Sequence, residues 1–256
     1  MIFICSEETV KKFFQLVFYF FSYYGKKNIY QKQEKDMRKL AIGIVSMVIF
    51  NLFGPISAAE ENQPKNPLER LKQGNERYVT SNTVCHDDWT AKRSALTANQ
   101  APFAIVVSCS DSRVPPEIIF DQTLGALFVV RVAGNIVDDF AIGSIEYGVK
   151  VLGANLIVVL GHSNCGAVEA ALKNLKFDNH IQSVLDAIQP AVNETKNGNG
   201  GGNLLEKTIK ANVKNVKETL KKSKPVLAQA FENGTLQIVG GYYDLDSGKV
   251  EFLDKQ

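Results

Sequence analysis

"NLIVVLGHSNCGAV", residues 155–168, is the stretch whose reading decides the fold. Leu156–Leu160 is an unbroken apolar run rich in β-branched residues. That is the pattern of a strand buried on both faces, as in a parallel sheet. Gly161 ends the run, and His162 and Cys165 follow three residues apart. "AVEAALKNL", residues 167–175, then reads as a helix.

The same alternation extends in both directions. "FAIVVS" (103–108) and "ALFVVRVAG" (126–134) read as two further buried strands. In "DDFAIGSIEYGVKVLG" (138–153), Phe140, Ile142, Ile145, Val149 and Leu152 recur at helical spacing. "NPLERLKQGNERYVTSN" (66–82) reads as an amphipathic helix. "NGNGGG" (197–202) is a loop between helices, after which Leu204, Leu205, Ile209, Val213, Val216 and Leu220 mark one face of a long helix. "TLQIVGGYYDLDSGKVEFL" (235–253) reads as a strand and a hairpin around Asp246, Ser247 and Gly248. Strands alternating with helices imply an α/β fold: a central, mostly parallel sheet with right-handed crossovers, flanked by helices and closed by a C-terminal strand and hairpin. No internal repeat or second domain is visible.

In such sheets, sites form beyond the carboxyl ends of the strands. The first strand ends in "SCSDSRVPPE", carrying Cys109, Asp111 and Arg113; the third ends in "GHSNCG", carrying His162 and Cys165. If those strands are neighbours, two thiolates and one imidazole converge. That set suits zinc, and three protein ligands leave a fourth position open, as in catalytic sites. A structural site would want a fourth Cys or His, and Cys85, His86 and His180 lie on no matching strand tip. The predicted helix start at Cys165 favours a thiolate, and Gly161 and Gly166 are read as permitting tight turns around the metal. Asp111 and Arg113, two apart in an extended segment, point the same way and pair. The paired Asp111 stays ionised and accepts a hydrogen bond from a group on the metal.

The first 59 residues read differently from the rest. From Met37, a basic start (Arg38, Lys39), an apolar run (Leu40–Phe53), Pro55 and the small residues Ser57, Ala58 and Ala59 make the three-part plan of a secretory signal peptide. The expected organisation is a gene-model extension over 1–36, a signal peptide over 37–59 and a single domain over 60–256, exported to the periplasm. The alternative is an uncleaved membrane anchor, for which the apolar run is short against about 20 residues. The whole chain carries a formal charge of +2, from 29 basic and 27 acidic residues. The leader holds 8 of those basic and 4 of those acidic residues, so residues 60–256 carry −2. No basic stripe interleaved with aromatics is present, so nucleic acid is excluded as a partner. Of the four cysteines, Cys5, Cys85, Cys109 and Cys165, three survive cleavage. That odd number argues against full disulfide pairing.

C-x-D-x-R on one strand tip and H-x-x-C on another, about fifty residues later, resembles the signature of the β-class carbonic anhydrases. "CSDSRVPPE", "LFVVRVAGN", "GSIEYGV" and "VVLGHSNCGAV" resemble that family's blocks, and the likeness spans nearly all of residues 60–256. The resemblance implies zinc on Cys109, His162 and Cys165, with Asp111 and Arg113 as a catalytic dyad. It implies reversible hydration of carbon dioxide to bicarbonate, at a zinc that lowers the pKa of its water. It places Gln100, nine residues before Cys109, in the substrate pocket together with Phe128 and Tyr147. It further implies that a neighbouring subunit completes the pocket, in a homodimer or a dimer of dimers. Val106 stands three residues before Cys109, where some relatives carry the Trp of a regulatory bicarbonate pocket. With Gln100, Phe128 and Tyr147, this points to the plant-type subclass, which lacks that switch. One departure is Val132, where the family's R-N-x-A-N block has its first Asn. Competing readings are the same fold acting on carbonyl sulfide or carbon disulfide, or a non-catalytic zinc-binding protein. A thiol oxidoreductase would need a C-x-x-C pair, which the chain lacks.

Overall fold

The computed structural model describes Gln15 and residues 64–84, 89–197 and 201–254. The expected extension and signal peptide, Cys5, Cys85, His86 and residues 198–200 of the Gly-rich loop lie outside them. The elements run α1 (Pro67–Val79), α2 (Trp89–Ala95), β1 (Ala104–Ser108), α3 (Pro116–Ile119), β2 (Leu127–Arg131), a 3-10 turn (Ala133–Asn135), α4 (Asp139–Lys150), β3 (Leu156–His162), α5 (Gly166–Leu172), α6 (Ile181–Lys196), α7 (Leu204–Lys222), α8 (Val226–Glu232), β4 (Gln237–Tyr243) and β5 (Val250–Phe252). All belong to one compact unit, Gln63–Gln256. Among the described residues no helix is long and apolar enough to cross a membrane.

The strands form one sheet in the order β2-β1-β3-β4-β5. The first four are parallel, and β5 returns antiparallel to β4. Side chains alternate across β1 and β3, as the strand period requires. Val106, Val158 and Leu160 face a layer built with Leu71, Phe120 and Val239. Ile105, Val107, Ile157 and Val159 face the other, built with Val213, Leu220 and Leu227. Each such side chain stabilises the fold by about 1.5–3 kcal/mol when fully buried. The unbroken apolar runs of β1 and β3 therefore mark the two central strands.

Two expectations need correction. β2 is half-buried rather than buried on both faces, because it is an edge strand with β1 as its single neighbour. Phe140 does not join the buried face of α4. It sits at the helix start and is 88% exposed, while Ala141, Ile145 and Gly148 are buried instead.

Asn75, buried on α1, ties that helix to distant segments. Its Nδ2 donates to the carbonyls of Ile119 and Gly248, and its Oδ1 accepts from the amide of Val250. The C-terminal hairpin is thus anchored to the first helix of the unit.

Candidate metal centre

β1 and β3 are immediate neighbours, with Ser108 opposite Leu160. Cys109 is therefore the first residue beyond β1, and His162 is the last residue of β3. Helix α7 lies close over that strand end. A Cβ at Gly161 would stand 2.6 Å from Val213 Cγ2 and 2.9 Å from Ile209 Cγ2, so glycine is required here by close approach. The expected turns at Gly161 and Gly166 are not found. The left-handed residue of the loop is Asn164, at φ 55°. It turns the chain so that Cys165 occupies the N-cap of α5.

The ligand atoms of Cys109, His162 and Cys165 all lie within 4.8 Å of one another, and all three residues are buried. The imidazole is oriented by its own loop. Its Nδ1 lies 2.9 Å from the Ser163 carbonyl, which can only accept, so the proton sits on Nδ1. Nε2 is left with a free lone pair, buried and without a hydrogen-bond partner. Ser163 is itself held, its amide donating to the Tyr243 carbonyl and its hydroxyl oxygen accepting from the Leu245 amide. A buried acceptor with no donor is costly. A cation held by Nε2 and the two sulfurs would remove that cost, so the residues present fit a thiophilic ion such as zinc.

The two sulfurs favour one thiolate before any metal arrives. A hydrogen bond from Cys165, with further ones from the backbone amides of Asp111 and Gly134, pulls the Cys109 thiol down to about 4, against the opposing effect of burial. Cys165, donating to Cys109 and desolvated by burial, is pushed up. The Gly134 amide donates to Cys109 Sγ at 3.3 Å.

Asp111 and Arg113 are brought together, though not by an extended segment. Residues 111–114 form a turn in which the Val114 amide donates to the Asp111 carbonyl. Arg113 donates to Asp111 Oδ1 from its backbone amide and from Nε, both at 2.9 Å, and to Oδ2 from Nη2 at 2.7 Å. These bonds hold the Asp111 carboxyl well below the usual carboxylate range. Its Oδ2 lies 3.9 Å from His162 Nε2, at the edge of the ligand cluster.

Sequence reasoning missed Arg131 as a contributor. From the end of β2 its guanidinium donates to the carbonyls of Cys109 and Asp111, at 3.0 and 2.5 Å, and so props the loop that carries both. The only sequence signal was the position of Arg131 within the "RVAGN" block. Val132 next to it contributes backbone bonds to Ser108 and Asn135, and nothing in the structure explains the choice of its side chain.

The three expected pocket residues come from separate segments, Gln100 ahead of β1, Phe128 on β2 and Tyr147 on α4. Phe128 and Tyr147 meet each other, with ring centroids 6.4 Å apart. Phe128 packs with the cluster containing Ile105 and Val107, whereas Cys109 and Cys165 belong to another. Gln100 is exposed, just before β1. His180 is exposed ahead of α6, away from the strand tips.

Comparison with known proteins agrees with this site. Residues 104–250 match the carbonic anhydrase family. The chain is 38% identical over 196 residues to carbonic anhydrase 2 of Mycobacterium tuberculosis, covering 74% of this chain and 94% of that one. It is 40% identical over 197 residues to the carbonic anhydrase of Mycolicibacterium smegmatis, covering 74% and 93%. Its fold is similar to the Coccomyxa β-carbonic anhydrase solved in complex with acetazolamide, with TM-score 0.60 and 26% identity over 75% of this chain and 88% of that one. It is likewise similar to the β-carbonic anhydrase CcaA, with TM-score 0.58 and 27% identity over 74% and 96%. A mostly parallel α/β sheet carrying a Cys-His-Cys cluster at its strand tips defines the class. The chain belongs to the β-carbonic anhydrase family.

Proposed function

We propose that this protein catalyses the reversible hydration of carbon dioxide to bicarbonate and a proton, with one zinc ion held by Cys109, His162 and Cys165. The observation that carries the reading is the buried, unpartnered Nε2 of His162, facing two cysteine sulfurs and standing 3.9 Å from a carboxylate that Arg113 keeps ionised. Bound zinc would supply a Lewis acid that makes water a nucleophile near neutral pH.

The chain's own residues do the rest. The Ser163 carbonyl fixes the imidazole tautomer so that Nε2 faces the cysteines. Cys109 and Cys165 bring negative charge that offsets that of the metal. Asp111, ionised and therefore an acceptor only, orients the reacting group by taking its hydrogen bond. Arg113 holds Asp111 towards itself through three hydrogen bonds, so Asp111 would not compete with the three ligand residues for a bound ion. Gln100, Phe128 and Tyr147 line the substrate pocket once a second subunit is in place.

A homodimer is supported by the face of α4 on which Phe140 and Tyr147, with Val151 at the C-cap, expose large apolar side chains. Export to the periplasm with cleavage after Ala59, leaving a domain over 60–256, is supported by the Met37–Ala59 pattern alone.

The test is stopped-flow carbon dioxide hydration on zinc-loaded protein, alongside Cys109→Ser, His162→Ala and Cys165→Ser. Zinc and activity lost together in each variant is the expected result. Full zinc content in all three variants would overturn the ligand assignment. Zinc-loaded protein that hydrolyses carbonyl sulfide and leaves carbon dioxide untouched would overturn the substrate.

A further inference from the structure

The Gly134 amide that donates to Cys109 Sγ belongs to an unusual piece of backbone. Gly134 and Asn135 are both left-handed, at φ 67° and 45°, within a single 3-10 turn. Glycine takes this conformation freely and asparagine at modest cost, so contacts with the surroundings decide how the turn is held. One constraint is packing: a Cβ on Gly134 would come within 2.7 Å of Ile188 Cδ1 on α6. The other is a hydrogen bond from α7. Asn212, 2% exposed, donates from Nδ2 to the Gly134 carbonyl at 2.8 Å. The same glycine is therefore held through its carbonyl by one helix while its amide reaches a metal-ligand sulfur. The two groups lie on adjacent peptides joined at the Gly134 Cα, so a shift of the held peptide would move that Cα and the amide with it, and a glycine offers little steric resistance to such a shift.

We propose that Asn212 is a positioning residue for the metal centre: by fixing the Gly134–Asn135 peptide it holds the Gly134 Cα in place, and with it the adjoining amide that donates to Cys109 Sγ, and thereby tunes that sulfur as a ligand. This rests on the zinc-site reading above. Outer partners that orient a ligand typically govern metal affinity by about 10–100-fold, and an N–H bond to a thiolate withdraws electron density from it.

Thr208 supplies the control. It lies one turn earlier on α7, equally buried, and its hydroxyl bonds Thr195 on α6 and the Leu204 carbonyl rather than the metal loop. Zinc affinity is measured by competition with a chromophoric chelator. The thiolate-to-cobalt charge-transfer band is recorded on Co2+-loaded protein. Asn212→Asp keeps the side-chain shape but loses the donor. It should weaken zinc binding by about tenfold or more and shift the band to longer wavelength. Thr208→Val should lower the unfolding midpoint and leave affinity and band unchanged. Wild-type affinity and band in Asn212→Asp would overturn the proposal, as would an equal change in Thr208→Val. If Asn212→Asp does not fold, Asn212→Ala and Asn212→Ser are judged by the same criteria. Wild-type protein that binds neither metal would instead overturn the zinc site itself.

Discussion

Arg113 grips the Asp111 carboxylate with both prongs of its guanidinium, Nε on Oδ1 at 2.9 Å and Nη2 on Oδ2 at 2.7 Å. The fork fixes orientation as well as charge, and a lysine cannot reproduce it. Arg113→Lys should lower kcat/KM for hydration by about 10–100-fold with zinc content intact. Asp111→Asn, which keeps the shape but can no longer act as an anionic acceptor, should lose about 100-fold. Stopped-flow rates and metal analysis of the same samples check both, and a wild-type rate in Asp111→Asn would remove the dyad from the mechanism.

Arg131 supports the loop rather than the chemistry. Its two bonds to the Cys109 and Asp111 carbonyls are charge-assisted, so losing them should matter more than losing neutral ones. Arg131→Met should reduce activity by about tenfold and speed zinc release to a chelator. An unaltered release rate would show that the loop holds its shape without the prop.

Alkaline stability should depend on Tyr243. Its buried phenol is pushed up by desolvation first and then by the Tyr78 hydroxyl 3.3 Å away. In the unfolded chain a tyrosine loses its proton near pH 10. Above that pH the unfolded state binds fewer protons than the folded state, so stability falls as pH rises. Urea midpoints of zinc-loaded protein should drop between pH 9 and 11 in steps about as large as the buffer series resolves, and more steeply in wild type than in Tyr243→Phe. Equal slopes would assign the loss to other groups.

The apolar face of α4 gives the assembly a test of its own. Tyr147 is 48% exposed and Val151 61%, so replacing both disturbs little within one chain. If the proposed homodimer uses this face, wild type should sediment as a dimer and Tyr147→Arg with Val151→Glu as a monomer. An unchanged mass would place the interface on another face.

The fold was legible where burial is symmetrical. Ile105 and Val107 face one side of β1 and Val106 the other, and all are fully buried. The apolar run therefore pointed directly to a central strand, and likewise for β3. β2 carries the same β-branched residues but has one neighbour, and position in the sheet order leaves no local mark on sequence. Phe140 fits the helical period yet falls at the mouth of α4, where none of the described residues covers it. The convergence of Cys109, His162 and Cys165 was legible because donor types at strand tips have few structural uses. Asn212 and Arg131 were not, because each acts through a backbone carbonyl far away in sequence, 78 residues in one case and 22 and 20 in the other. Any residue can supply such a carbonyl.

Cys109 comes from one strand tip, and His162 and Cys165 from the next strand in the sheet, about fifty residues later in the chain. No fragment ending before β3 can assemble the donor set, so an ion seated there would act as a removable cross-link across the β1-to-β3 crossover. A cross-link over a loop of that length restrains the unfolded chain far more than the folded one, and an ion that binds only the native form draws the folding equilibrium towards it. A chelator would then do more than silence the protein: it would unclasp the centre of the sheet, and the midpoint of thermal unfolding would follow free metal concentration.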